Sequence, residues 1–137
     1  MLRLTKITIS PLNDQFKVKD NKILIGKSDP NSNEFDTILF ACRDIEKISI
    51  LSNIKFISSC AFEDCEVLTK VEIPTNSKLQ TIGKYAFSNS NLNEIIFPPT
   101  VSRICESAFE YCYILDKVEI PTNSNLQTIE SEAFYES

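Results

Sequence analysis

The sequence predicts an α/β-type repeat solenoid, with short parallel strands on a concave face and short helical or 3-10 turns on a convex face. Ala-Phe dipeptides recur at near-constant spacing and end at Phe62, Phe87, Phe109 and Phe134. The segment Val-Glu-Ile-Pro-Thr-Asn-Ser occurs twice, at residues 71 to 77 and 118 to 124, a double-repeat period of 47 residues (118 − 71). Repeats of about 20 to 50 residues indicate solenoids, because each unit buries its apolar face only against its neighbours.

A second recurring pattern, Leu-x-x-(Ile/Val)-x-Ile, predicts the concave strands. Its copies begin at Leu4, Ile45, Leu68, Leu92 and Leu115. The last apolar positions of each copy alternate with polar residues, which is the period of a strand with one buried face. Pro74, Pro98 and Pro121 follow three of the copies and end the strands, because proline cannot donate to a ladder. We therefore expect five stacked parallel strands.

Residues 10 to 37 interrupt the regular spacing of this pattern. Residues 16 to 25 contain two alternating runs around Asp20-Asn21, which predicts a β-hairpin. Residues 26 to 34 are rich in turn formers. We interpret 10 to 37 as an inserted or degenerate repeat with a hairpin, and 38 to 137 as regular repeats of one domain, 1 to 137. The alternative is that 10 to 37 form one flexible surface loop.

The ends of the sequence lack the polar capping repeats that normally close a solenoid. We therefore expect the chain to be a fragment of a longer array. Between the concave strands, each unit carries an Ile and then Ala-Phe, four to five residues apart. This spacing suits one turn of helix or 3-10 helix on the convex side, with Phe filling the interior. We expect the Phe residues to be structural.

The composition argues against several classes of function. A net charge of −5 and a pI near 4.8 disfavour a nucleic-acid partner, which needs a basic surface. The chain has no histidine, the usual general base at neutral pH, and its two glycines cannot form a Gly-rich phosphate loop. Neither an apolar signal core nor a run of about 18 apolar residues is present, so no membrane insertion is expected. We predict a protein that is not an enzyme and needs no cofactor.

Five cysteines stand at positions that favour structural roles. Three of them precede the first apolar residue of a strand pattern by three positions, namely Cys42, Cys65 and Cys112, and Asn89 holds that place before Leu92. A slot that accepts Cys or Asn predicts an inward polar position that satisfies loop backbone groups. Cys60 and Cys105 occupy different positions in their repeats. The spacings lack a zinc signature, whereas a disulfide between stacked coils remains open.

The outward positions of the concave strands form the candidate binding surface. They fall in two columns, and the candidate protein-binding residues are Lys47, Lys70, Glu72, Glu94, Ile96, Lys117 and Glu119. Solenoids present such extended faces to protein partners. Glu94 is expected to pair with a Lys on either side. The alternative is a solvated face whose charges only keep the sheet soluble.

The repeat residues resemble the BspA-like class of leucine-rich repeat proteins. The segments Ile82-Gly-Lys-Tyr-Ala-Phe87 and Ile104-Cys-Glu-Ser-Ala-Phe-Glu-Tyr-Cys112, the latter followed by Leu115-Asp-Lys-Val-Glu-Ile-Pro121, carry the resemblance. It covers residues 38 to 137 well and 4 to 9 partly. Ser58, Cys105 and Glu130 replace the glycine of that motif. The alternation of short and long linkers is more similar to the expansions of this class in unicellular eukaryotic parasites than to bacterial members.

The resemblance implies a surface antigen or adhesin, located at the cell surface or secreted, that binds a host or extracellular matrix protein. It defines no binding residues that can be transferred to this chain. The alternative is an intracellular, cytoplasmic scaffold that binds an endogenous protein through the same face. The cysteine-containing repeats and the lack of glycosylation sequons are compatible with that alternative.

Overall fold

The computed structural model describes residues 3 to 137. An N-terminal hairpin is followed by strands and turns that stack into four coils. Within these residues the strands are β1 Lys17–Lys19, β2 Ile23–Gly26, β3 Thr37–Ala41, β4 Lys47–Ser49, β5 Phe56–Ile57, β6 Lys70–Glu72, β7 Thr81–Ile82, β8 Glu94–Ile96, β9 Arg103–Ile104, β10 Lys117–Glu119 and β11 Thr128–Ile129. Each coil contains one concave strand (β4, β6, β8 or β10), a linker, one short strand (β5, β7, β9 or β11) and a turn segment. The fold is a repeat solenoid of the leucine-rich repeat type.

The hairpin, strand β3 and the four short strands form one seven-stranded sheet in the order β1-β2-β3-β5-β7-β9-β11. The predicted hairpin is present, since β1 and β2 pair antiparallel with Lys17 opposite Ile25. Asp20 and Asn21, with φ of 53° and 57°, are the central residues of its turn, which the Lys22 N–H closes by donating to the Lys19 carbonyl at 2.9 Å. A tight turn that matches the right-handed strand twist needs left-handed backbone at both central positions. The interpretation of residues 10 to 37 as a degenerate or inserted repeat remains a prediction.

The first copy of the concave pattern does not form a strand. Residues 3 to 10 have no regular secondary structure, and Leu4 is 52% exposed. The Ile7 N–H donates instead to the Asn21 carbonyl at the hairpin turn, at 2.7 Å. The hairpin separates this segment from the first coil along the chain. The described residues therefore contain four concave strands, whereas the sequence predicts five.

The predicted helical or 3-10 turns on the convex side are wrong, because residues 3 to 137 contain no helix. Hydrogen-bonded turns occupy these places, at residues 59 to 64, 84 to 89, 106 to 111 and 131 to 136, and we call them the turn segments. Left-handed residues stand two positions before and two after each Phe: Cys60, Asp64, Tyr85, Asn89, Ser107, Tyr111, Glu132 and Glu136. A right-handed helix cannot continue through such residues.

The left-handed residues turn alternate backbone N–H groups towards the next coil. The Phe62 N–H donates to the Ala86 carbonyl at 2.7 Å, and the Phe87 N–H donates to the Ala108 carbonyl at 2.7 Å. The turn segments are therefore joined by hydrogen bonds between coils in place of the bonds that a helix makes within itself. This ladder satisfies backbone groups that the packed coils remove from water.

The Phe residues of the turn segments stack through the centre of the solenoid. The ring centroids of Phe62 and Phe87 lie 4.9 Å apart at an interplanar angle of 8°, and those of Phe87 and Phe109 lie 5.2 Å apart at 10°. All three rings are fully buried, and Phe134 continues the stack at 5.2 Å from Phe109. The structural role predicted for these rings is thus confirmed, and their stacking sets the coil spacing that positions the concave strands.

Candidate functional site: the concave face and its cleft

Strands β4, β6 and β8 present their side chains as the alternating pattern predicts, whereas Val118, the inward position of β10, is 40% exposed. Ile48, Val71 and Ile95 point inward and are buried, whereas the residues on either side of them lie on the surface. The parallel registers place Lys47 opposite Lys70 in β4 and β6, and Lys117 opposite Glu94 in β8 and β10. Glu72 stands opposite Ser49, and Glu119 opposite Ile96. These registers align the candidate residues in two columns within each strand pair, and their role as a binding surface stays a prediction.

Charges on this face pair mainly along a strand. Lys70 Nζ lies 2.9 Å from Glu72 Oε1, and this hydrogen-bonded pair raises the pKa of Lys70 and lowers that of Glu72. Lys117 Nζ lies 3.2 Å from Glu119 Oε2 in the same arrangement. The expected pairing of Glu94 with a neighbouring Lys is absent from the described residues. Lys70 and Lys117, on the strands either side of Glu94, each pair with a carboxylate of their own strand, so Glu94 is left available to a partner.

The concave ladder is interrupted between its second and third strands. Strand β4 pairs with β6, and β8 pairs with β10, but no backbone ladder joins β6 to β8 within residues 3 to 137. A cavity of about 350 Å³ lies along this break, and we call it the β6–β8 cleft. It is lined by Lys70, Val71, Glu72, Ile73, Thr75, Glu94 and Ile96. Four of the seven candidate residues thus meet at one place.

An apolar recess continues the β6–β8 cleft towards the strand ends. The recess measures about 220 Å³ and shares Ile73, Thr75 and Ile96 with the cleft. Its other lining residues are Pro74, Phe97, Pro98, Pro99 and Pro121. Ile96 is 46% exposed between the two cavities, so an apolar side chain lies beside the charged residues of the cleft. Its exposure agrees with the sequence prediction, whereas the proline-lined recess was not foreseen from the sequence.

The position of the break follows the lengths of the linkers. Residues 50 to 55 and 97 to 102 form the short linkers after β4 and β8, whereas residues 73 to 80 and 120 to 127 form the long linkers after β6 and β10. Both paired sets consist of a short-linker coil followed by a long-linker coil. The break falls where a long-linker coil precedes a short one. The 47-residue double repeat was the sequence signal that could have indicated this cleft.

The remaining candidates lie outside the β6–β8 cleft. Lys117 and Glu119 lie on β10, on the far side of β8. Lys47 lines a separate groove of about 280 Å³ along the outer edge of β4, together with Lys19 and Lys22 of the hairpin. The structure therefore places the seven predicted residues on one face but gathers only Lys70, Glu72, Glu94 and Ile96 around a cavity.

The cysteines hold structural positions, with one correction to the predicted slot. Cys42, Cys65 and Cys112 are fully buried, and all five cysteines are free. Burial raises the pKa of the Cys65 thiol to about 11. Asn89 does not take the corresponding place in the second coil, because Ser90 is the buried residue there and its Oγ lies 3.4 Å from Cys112 Sγ. The interval from this slot to the strand is one residue shorter in that coil, which shifted the sequence alignment.

The side chains of Asn89 and Asp64 instead form part of the outer surface of the turn segments, where Asn89 Nδ2 donates to Asp64 Oδ1 at 2.9 Å. Among the described residues, no three His, Cys, Asp or Glu side chains gather in a way that could hold a metal ion. No helix in residues 3 to 137 has the length and apolarity that a membrane crossing requires.

The repeated sequence that forms these coils matches a known repeat family. A family model for the BspA type leucine rich repeat region matches residues 33–137 in six copies. The chain belongs to the BspA-type leucine-rich repeat family. Comparison with curated proteins finds no match. The sequence resemblance and the leucine-rich repeat fold are thereby confirmed for most of the chain.

Two solved structures show what this BspA-type chain is similar to. The pneumococcal vaccine antigen PcpA is 32% identical over 65% of this chain, with a TM-score of 0.62. A leucine rich cell surface protein from Faecalibacterium prausnitzii A2-165 is 20% identical over 82% of the chain, with a TM-score of 0.54, which supports the fold. The chain spans 22% of the first of these proteins and 35% of the second.

Proposed function

We propose that this BspA-type chain is a non-catalytic, protein-binding module of a cell-surface antigen or adhesin, which binds a host or extracellular matrix protein through its concave face. The observation that carries the proposal is the β6–β8 cleft, where Ile96 is 46% exposed between a charged cavity and a proline-lined recess. A partially apolar cavity with a polar rim is the usual anchor point of a protein interface. The likeness to a vaccine antigen and a cell surface protein supports the location.

The two parts of the cleft suggest how a partner would bind. An aliphatic or aromatic side chain of the partner would enter the recess beside Ile73 and Ile96, where it would lose contact with water. Glu94, which forms no ion pair among the described residues, would accept a hydrogen bond from a basic or polar group beside it. Lys70 and Glu72, already paired at 2.9 Å, would form the rim and would contribute less.

The remaining candidates extend the surface on both sides of the cleft. Lys47 and Lys117 lie on the outer strands, where exposed charges affect the rate of association more than the affinity. We therefore expect the strongest effects of substitution at Ile96 and Glu94, and weaker effects at Lys47, Lys117 and Glu119. This ranking of the losses in affinity distinguishes a partner that binds in the cleft from one that is attracted only by the charge of the concave face.

Binding of the purified chain to immobilised laminin, fibronectin and collagen, measured by surface plasmon resonance, tests the proposal. If one of these proteins binds, Ile96→Asp should abolish binding, whereas Lys78→Glu, an exposed change on the long linker outside the cleft, should not. Circular dichroism checks that both variants remain folded. Equal binding of the Ile96→Asp variant would show that the cleft is not the interface. Antibody staining of intact, non-permeabilised source cells tests the location, and staining only after permeabilisation would favour the intracellular scaffold.

A further inference from the structure

An exposed aromatic cluster lies on the turn segments of the third and fourth coils and on Tyr113, two residues after the third turn segment. The ring centroids of Tyr111 and Tyr113 are 5.8 Å apart, and those of Tyr111 and Tyr135 are 5.9 Å apart. Tyr113 is 65% exposed and Tyr135 is 47% exposed. Single exposed rings are common on protein surfaces, but adjacent ones form a patch that a partner can cover.

Glu110 and Glu136 are sequence neighbours of these tyrosines, and Glu132 lies in the same turn segment as Tyr135. None of the three carboxylates forms an ion pair within residues 3 to 137. Glu110 is the main cause of the raised pKa of Tyr111, followed by burial and Glu136. Glu136 also raises the pKa of Tyr135, chiefly through a hydrogen bond. The carboxylates of this cluster are therefore not neutralised by a neighbouring cation, unlike Glu106 of the same coil, which pairs with Lys84 at 2.9 Å.

The same chain shows how a cation fits beside such a ring. Lys84 Nζ lies 5.2 Å from the ring centroid of Tyr85 while it pairs with Glu106. A cation over an aromatic face is attracted by the ring quadrupole, and a nearby carboxylate adds to the attraction. At Tyr85 the chain supplies this cation itself. Around Tyr111 and Tyr135 the ring and the carboxylates are present without one.

We propose that this cluster is a second docking surface, which binds an arginine-rich segment of a protein partner. The surface, which we call the tyrosine patch, consists of Tyr111, Tyr113, Tyr135, Glu110, Glu132 and Glu136. Arginine fits better than lysine, because its planar guanidinium can stack on a tyrosine ring and still donate to a carboxylate at its edge. The charge of the patch, with carboxylates and no paired cation, argues for this partner over an apolar or acidic one.

Nuclear magnetic resonance of the full chain with ring-13C-labelled tyrosine tests the proposal directly. The chain has four tyrosines, so three signals come from the tyrosine patch and the fourth, from Tyr85, is an internal control. The probe is a short synthetic peptide in which Arg alternates with Ser, and the control peptide carries neutral citrulline in place of Arg. We expect the arginine peptide to shift the three patch signals and not the signal of Tyr85. An equal response to the citrulline peptide, or no response to either, would overturn the proposal.

Two substitutions separate the tyrosine patch from the general negative charge of the chain. Glu110→Gln should weaken binding of the arginine peptide, whereas Glu63→Gln should not, because Glu63 stands at the same position of the first coil without tyrosine neighbours. Tyr113→Ala, at a largely exposed side chain, should weaken binding about two- to fivefold, as expected for an exposed cation–π contact. Equal losses in the Glu110 and Glu63 variants would show attraction by net charge alone and would contradict the proposal.

Discussion

The guanidinium of Arg43 donates to the main-chain carbonyl of Ala61, with Nη1 3.2 Å from the oxygen. In later coils the equivalent carbonyls, such as that of Ala86, accept a hydrogen bond from the Phe N–H of the preceding coil. No turn segment with a Phe precedes the coil of Ala61, so no Phe N–H donates to the Ala61 carbonyl. The Ala41 N–H and the Arg43 guanidinium donate to it instead. Arg43 also donates to the Cys60 carbonyl at 3.3 Å and lies over the ring of Phe40. It therefore caps the N-terminal side of the ladder of turn segments.

Replacing Arg43 with methionine should destabilise the fold. The variant keeps much of the apolar stem but loses the charged donor that Arg43 supplies to the Cys60 and Ala61 carbonyls, which each keep one backbone N–H donor. Hydrogen bonds from a charged group contribute more than neutral ones, so we expect a cost of about 1–3 kcal/mol. Urea denaturation measures the change. Lys84→Met is the control, since it removes an exposed cation that pairs with Glu106 but satisfies no backbone carbonyl. A midpoint for Arg43→Met no lower than that of Lys84→Met would contradict the capping role.

Gly83→Ala should lower the thermal stability even though other coils carry Ser58, Cys105 and Glu130 at the equivalent position. A Cβ at residue 83 would lie 2.6 Å from the Ile57 carbonyl oxygen and 2.7 Å from the Ser59 nitrogen. Backbone atoms cannot rotate away, so we expect a cost of about 1–3 kcal/mol from overpacking.

Gly26→Ala is the matched control for this substitution. A Cβ at residue 26 would meet Leu39 Cδ1 at 2.8 Å, and this flexible side chain can move. Differential scanning calorimetry of the two variants compares them directly. A melting temperature for Gly83→Ala equal to or above that of Gly26→Ala would show that the backbone contact is not rigid.

Asp36 should make the stability of the chain depend on acid pH. Its carboxylate is 2% exposed and accepts hydrogen bonds from the Ser28 N–H at 2.8 Å and the Ser28 hydroxyl at 2.6 Å. Burial alone would raise its pKa, but the bonds from Ser28 and Thr37 and the charge of Lys55 outweigh burial and hold the pKa below its ordinary value.

Because the folded-state pKa is lowered, Asp36 stabilises the fold fully above the ordinary aspartate pKa of about 4. This contribution is lost as the pH falls through the lower folded-state value. Asp36→Asn should therefore be less stable than the wild type at neutral pH by about 1–3 kcal/mol, and the gap should narrow in acid. Urea denaturation between neutral and strongly acidic pH measures the gap, and a gap that stays constant with pH would contradict this role.

Alkylation should distinguish two classes of cysteine in the folded chain. Cys60 and Cys105 are partly exposed, whereas Cys42, Cys65 and Cys112 are fully buried. The Cys65 pKa of about 11 keeps that thiol protonated at pH 8, and only the thiolate reacts. Mass spectrometry after brief treatment with iodoacetamide should find label at Cys60 and Cys105 first. If Cys65 were labelled as fast as Cys60, the coils would have to open readily in the folded chain, which would contradict this prediction.

The repeat spacing was sufficient to predict the core and the concave columns, because both depend on local periodicity. The Ala-Phe spacing located the rings of Phe62, Phe87 and Phe109, and strand alternation located the outward residues. The helical turns were predicted wrongly because the Ile to Phe spacing fits a helix as well as it fits a strand followed by turns. Left-handed backbone at Cys60 or Tyr85 has no sequence signal, since neither residue type favours it.

The order of apolar and polar residues along the chain determined the solenoid, its buried Phe column and the side chains that face the concave surface. Each of these features depends on contacts between equivalent positions of successive repeats, and the spacing of the repeats in the sequence is enough to identify those positions. Stacking of whole coils decided the rest: the break between β6 and β8, the cap at Arg43 and the place of Ser90 beside Cys112. The break coincides with linkers of unequal length, the cap with the lack of a preceding Phe turn segment, and the place of Ser90 with a shorter interval before β8. All three depend on contacts between residues that lie far apart in the sequence.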